Sequence, residues 1–193
     1  HVSKDGSSAI HYFVMGYGLH KVTGVLGRLC DDAIEYLVDA CGLNPDQGME
    51  QSGLTPLHIN RIASVASALV KHGATVDSRC ANGKYRFGRR SSTHGHPSIH
   101  PPSLTCIFPI SISLAPSIAC LMCVPGITPL MYAASRGDFE VCKVLLSAGA
   151  NARCKDNTSE ALDALMYAAT SQFRQVVAVL LRNGASPTTV SAT

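Results

Sequence analysis

The chain has 193 residues, 46% of them apolar, no tryptophan and a formal net charge of +3. That length allows one or two compact domains, and so small a charge gives no ground for a nucleic-acid partner. Eight cysteines fall in no regular framework and no secretory signal opens the chain, so they read as reduced thiols of an intracellular protein, cytoplasmic or nuclear. The first residue is His1, and we expect a fragment or a processed chain.

The first unit, 1–52, opens with Lys4-Asp5-Gly6 and then Ser8, Ala9, Ile10 and His11, where Ser8 can cap a helix. A second helix is predicted over Asp32 to Ala40, with Ala33, Ile34, Leu37, Val38 and Ala40 as its buried face and Gly42 as its stop. Gly6 to Gly42 is 36 residues where the best copy of the pattern takes 23, so about thirteen extra residues lie around Gly16 to Arg28, in a long turn or in lengthened helices. The glycine-rich GYGLHKVTGVLG in that stretch invites a phosphate-loop reading. No Gly-Lys-Ser/Thr follows and no apolar strand precedes it, which favours the turn or the longer helices.

The second unit, 53–83, begins at Gly53 and carries Thr55, Pro56, Leu57 and His58. Thr55 is placed as N-cap and Pro56 at the first helical position, where its missing N–H costs nothing. Gly53 to Gly73 is only 20 residues, and the missing ones include an Ala-Ala pair and an inter-helix glycine, so a clipped first helix is expected. His72, just before Gly73, reads as an ordinary helix-end residue.

Residues 84–126 break the pattern. They hold Lys84, Arg86, Arg89 and Arg90, no acid, six of the ten prolines, three of the eight cysteines and three of the eight histidines. If they are removed, Gly83 joins Ile127, and the ten-residue glycine spacing of an uninterrupted series returns. Gly83-Lys84-Tyr85 can be encoded with a splice donor and Pro125-Gly126 with an acceptor in the same phase. Between them LTCIFPISISLAPSIACLMCV is rich in residues with pyrimidine-rich codons, so we expect a disordered insert translated from an intron. Other readings are weaker. His94, His96 and His100 with Cys106, Cys120 and Cys123 would make a zinc site, but one C-x-x-C is half a site. The 21 uncharged residues from Leu104 to Val124 have the length of a membrane span, but Pro109 and Pro116 interrupt them. The basic GKYRFGRR would suit nucleic acid, although a solvated tail is the commoner meaning.

The third unit, 127–157, holds the best copy of the pattern. Thr128 caps, Pro129 opens a helix with Leu130, Ala133 and Ala134, and Gly137-Asp138 ends it. Val141, Cys142, Leu145 and Leu146 then form one apolar stripe, closed by Gly149 as a left-handed C-cap. The fourth unit, 158–193, repeats LMYAA at Leu165 to Ala169 and the stripe at Val176, Val177, Leu180 and Leu181, ending at Gly184. Asp163-Ala164 replaces Thr-Pro, with Asp163 still able to cap, and Gln172 replaces the inter-helix glycine. Both ends of the chain look cut from a longer series.

The pattern G-x-T-P-L-x-x-A-A followed by V-x-x-x-L-L-x-x-G-A resembles the ankyrin repeat. The resemblance implies an all-α solenoid of about four stacked helix-turn-helix units with β-turn or hairpin connections and an irregular insert between the second and third. It also implies that His58 bonds its Thr and ties adjacent repeats, and that a concave surface of turns and first helices binds a protein partner. The polar positions there are Asn60, Arg61, Arg79, Asn82, Ser135, Arg136, Arg153, Lys155, Asp156, Thr170 and Ser171, with Arg136 foremost because arginine is enriched at hot spots. The expected role is an interaction scaffold, monomeric as a segment, with no cofactor, metal, nucleic acid, membrane or catalysis. A regulatory or targeting segment of a larger enzyme, channel or ubiquitin-ligase adaptor is the alternative. Asp31, Asp32, Glu35 and the histidines at 11, 20, 58 and 72 do not converge on a catalytic spacing.

Overall fold

The computed structural model describes residues 7–17, 26–50, 52–80 and 124–187. Among them lie four pairs of helices: α1 (Ala9–Tyr17) with α2 (Leu26–Glu35), α3 (Pro56–Ile59) with α4 (Ala63–Lys71), α5 (Pro129–Arg136) with α6 (Phe139–Ser147), and α7 (Ala164–Thr170) with α8 (Arg174–Arg182). The first helices stack in one layer, α1 on α3 on α5 on α7, and the second helices in another, α2 on α4 on α6 on α8. No pair can cover its own apolar stripe, so one continuous core runs between the layers, with Ile10, Ile34, Leu57, Leu69, Leu130, Leu145 and Leu180 fully buried in it.

Local chemistry starts and stops these helices. Thr128 Oγ1 accepts from the Met131 N–H at 3.4 Å, and Asp163 Oδ1 accepts from the Met166 N–H at 2.9 Å in the same place one unit later. Pro56 and Pro129 sit inside the first turn. Gly42, Gly73, Gly149 and Gly184 all take positive φ where the second helices end. Between α5 and α6, Gly137 has φ +75, and a Cβ there would lie 2.6 Å from the Phe173 ring of the next unit. The fourth unit meets the same backbone demand without glycine: Gln172 has φ +61 in the place of Gly137, and Ala161 φ +50 in the place of Gly126.

In the first unit the extra residues lengthen the second helix. It starts at Leu26 rather than Asp32 and ends in a π-helical turn, Tyr36–Ala40, in which the Cys41 N–H donates to the Tyr36 carbonyl at 3.0 Å. The wider turn rotates the apolar stripe off the core. Ile34 stays buried, joined by Cys30, but Leu37 and Val38 are half-buried and Ala40, expected inside, is exposed. The glycine-rich stretch around 18–25 lies outside the described residues. The last apolar positions of the other stripes are likewise less covered than expected: Leu146 is half-buried and Leu181 is 41% exposed. The second unit has the clipped first helix foreseen, a single turn of four residues.

Each turn is tied to its successor at a fixed place, four residues after the glycine that ends the second helix. Asp46 accepts from the Thr75 N–H at 2.8 Å, Asp77 from the Asn151 N–H at 3.1 Å, and Arg153 Nε donates to the Gly184 carbonyl at 2.7 Å. The interruption enters at this edge. The Cys80 N–H donates to the Ile127 carbonyl at 3.2 Å, and the Cys80 carbonyl accepts from the Gly126 N–H at 3.3 Å. In the next turn the Asp156 N–H makes the same bond to the Leu162 carbonyl at 2.9 Å. Gly126, with φ +75, fills the glycine place of the third unit. The zinc residues, the apolar run and the basic cluster considered for the interruption lie outside the described residues. Among the described residues there is no named strand, and the turns contribute one isolated antiparallel bridge, Lys155 with Asp163.

Candidate interaction surface

Two histidines set the register between units. The Thr55 N–H and Oγ1 lie 3.2 and 2.9 Å from His58 Nδ1, and His58 Nε2 lies 3.0 Å from the Ile127 carbonyl of the following unit. A carbonyl only accepts, so Nε2 carries the proton and Nδ1 accepts from the Thr55 amide. Burial holds this imidazole neutral, its pKa lowered to about 4. Ser8 and His11 repeat the arrangement at 2.9 Å, with His11 Nε2 3.1 Å from the Leu54 carbonyl. Ser-Ala-Ile-His is thus a working form of Thr-Pro-Leu-His.

The expected contact residues divide into two sets. Arg136 is inside the fold, its side chain 6% exposed. Its Nε donates to Asp138 at 2.6 Å, Nη1 to the His58 carbonyl at 3.1 Å and Nη2 to the Asn60 carbonyl, and the guanidinium lies 4.7 Å from the Tyr132 ring centroid. The clipped helix α3 leaves its last carbonyls without intrahelical partners, and Arg136 from the next unit supplies the donors. Its foremost position among contact residues is therefore corrected to that of a tie between units. Asn60 is buried and bonds both backbone groups of Ile62, and buried Ser135 donates to the Tyr132 carbonyl. Asp156, also buried, accepts from the Thr158 and Leu162 amides and from the Tyr167 hydroxyl at 2.6 Å. Burial and that carboxylate raise the Tyr167 pKa.

The other set faces water. Arg61 is 58% exposed and lies 3.8 Å from Asp138, whose other oxygen Arg136 already holds. Arg79 is exposed and donates to the Lys155 carbonyl and to Asn157; Arg153 is exposed and bonded to Gly184. Lys155 and Ser171 are half-buried, and Thr170 is exposed, its hydroxyl bonded back to the Met166 carbonyl. Asn82 lies outside the described residues. These side chains follow the turn edge and the open side of the first-helix layer, spread over three units rather than converging on a pocket.

Spread polar groups of this kind suit recognition more than chemistry. Among the described residues no three histidine, cysteine or acidic side chains group as metal ligands. The cysteine thiols at 30, 41, 80, 142 and 154 are free, and burial pushes Cys142 up to about 12, far from a reactive thiolate. No helix among the described residues is long and apolar enough to cross a membrane. Sequence reasoning missed Tyr12 and Met15, exposed on α1; the signal was present, because aligning Ser8 with Thr128 puts Tyr12 at the place of Tyr132.

No curated protein matches the chain. Residues 112–191 match the family model described as ankyrin repeats (3 copies). Residues 112–191 are ankyrin repeats by that match, and the helix pairs before them continue the same two layers, joined through the histidine tie.

Proposed function

We propose that this chain is a protein-interaction scaffold that works inside the cell and binds its partner along the open side of the first helices and the adjoining turns. Ankyrin repeats are in general protein–protein interaction modules. The observation that carries the reading for this chain is the split just described: buried polar groups hold the units together, while Arg61, Arg79, Lys155 and Thr170 line one side without being consumed by the core. The test is partner capture by the chain and by its Lys155→Glu and Thr170→Glu forms, with Lys143→Glu on the second-helix layer as control. Loss of the captured protein with the first two and retention with the third is expected. Equal retention by all three forms would refute the surface.

We also propose that residues 84–126 are translated from an intron. The bond from the Cys80 N–H to the Ile127 carbonyl supports this, since it closes the turn as that from Asp156 to Leu162 does where nothing intervenes. A message lacking those 43 codons is the expected finding, and genomic codons unable to spell a donor at Gly83-Lys84-Tyr85 would sink the idea.

A further inference from the structure

Position four of the first helix is tyrosine in three units, Tyr12, Tyr132 and Tyr167, with half-buried Ile59 in the second. Two of the tyrosines are engaged within the fold, Tyr132 beneath the Arg136 guanidinium and Tyr167 through its hydroxyl on Asp156. Tyr12 is 54% exposed, and Met15, one turn on along the same face of α1, is 41% exposed. Next to Ile59, Arg61 carries positive charge that Asp138 cannot neutralise alone, because one carboxylate serves two guanidinium groups. The open side of the first two units is therefore apolar, and at its border with the third it is cationic.

We propose that this patch binds an extended peptide segment bearing two apolar side chains followed by a carboxylate, which places its apolar groups on Tyr12, Met15 and Ile59 and its acid on Arg61. This rests on the interaction reading above and names the chemistry of the partner. Charge complementarity fixes the acid, since exposed Arg61 shares the Asp138 carboxylate with Arg136 and so carries uncompensated positive charge. Stacked helices lie about 10 Å apart, and an extended chain covers that in about three residues. A segment crossing from the first unit to the second therefore sets its two apolar side chains three residues apart, with an acid following within reach of Arg61, which gives the pattern apolar-x-x-apolar and then an acid.

Selection of a random-peptide phage library on the immobilised chain tests this. Enriched sequences should carry that spacing, and synthetic peptides made from them should lose at least tenfold in affinity on Arg61→Glu and on the double change Tyr12→Ser, Met15→Ser. All three side chains are exposed, so these variants fold, which circular dichroism checks. Exchanging the peptide's acid for arginine should restore binding to Arg61→Glu. Failure to enrich, enriched peptides without an acid, or peptides indifferent to these changes would overturn the proposal. Peptides that ignore Arg61→Glu but are lost on Lys155→Glu or Thr170→Glu would overturn it while leaving the interaction surface standing; peptides indifferent to every one of these changes would remove both.

Discussion

Replacing Arg136 by alanine should destabilise the chain by about 3 kcal/mol without any partner being involved. The substitution strips donors from the His58 and Asn60 carbonyls at the end of α3, each costing about 1 kcal/mol when left unsatisfied. It also removes the close partner of Asp138, whose side chain is only 13% exposed. Breaking a fully buried pair costs about 3–5 kcal/mol, but Arg61 remains 3.8 Å from the same carboxylate, so we count only about 1 kcal/mol for this loss. Arg136→Lys keeps the charge but not the fork, so it should recover roughly half. Urea unfolding followed by circular dichroism is the assay, the chain having no tryptophan to report by fluorescence. A lower midpoint at unchanged slope is expected, with a Tm loss of about 10 °C at about 2–4 °C per kcal/mol for a chain of this size. Hydrogen exchange should quicken first in α3 and at Asn60 to Ile62. A loss below about 1 kcal/mol, or lysine performing as well as arginine, would refute the idea that α3 is capped from the neighbouring unit.

Four further outcomes are expected. The pKa of His58 is lowered on folding from 6.5 to about 4, so its contribution is complete above the unfolded value and is lost as pH falls from 6.5 towards 4. The wild-type midpoint in urea should therefore drop over that window by more than that of His58→Gln, with up to about 3 kcal/mol at stake. Gln172→Gly should stabilise by about 0.5 kcal/mol, the relief of a left-handed non-glycine less glycine's entropy. Gly137→Ala should cost about 2 kcal/mol by adding a Cβ against the Phe173 ring, and thermal melts measure both. Excising 84–126 to join Gly83 to Ile127 should leave the helical spectrum unchanged and raise Tm, because closing a shorter loop loses less entropy; a lower Tm would count against the intron proposal.

The parts of the fold that were legible in the sequence are those written in local signals. Thr128-Pro129 and Asp163 announced their helices because a cap is a contact between residues three apart. The clipped α3 followed from counting between glycines. What a linear reading missed depended on contacts between units or on a change of helical period. Leu26 opens a helix with no capping signal, and a π turn at Tyr36–Ala40 shifts the stripe without any residue that betrays it. Arg136 looked like a surface hot spot because its partners, His58 and Asn60, lie more than seventy positions earlier. Asp156 read as a contact residue of the turns because only folding brings the Leu162 amide and the Tyr167 hydroxyl onto its carboxylate.

The bonds at the turn edge carry a consequence for assembly. In the first two joints the earlier unit offers a carboxylate to a backbone amide, at Asp46 and Asp77, and in the third it offers a guanidinium to a carbonyl, at Arg153. The joints are thus keyed by polarity, and the units cannot be reshuffled freely although their helices are alike. A gene fusion placing the third unit ahead of the second would leave the Thr75 amide without the carboxylate that Asp46 now offers it, and Arg153 would be left to bond the Gly73 carbonyl instead.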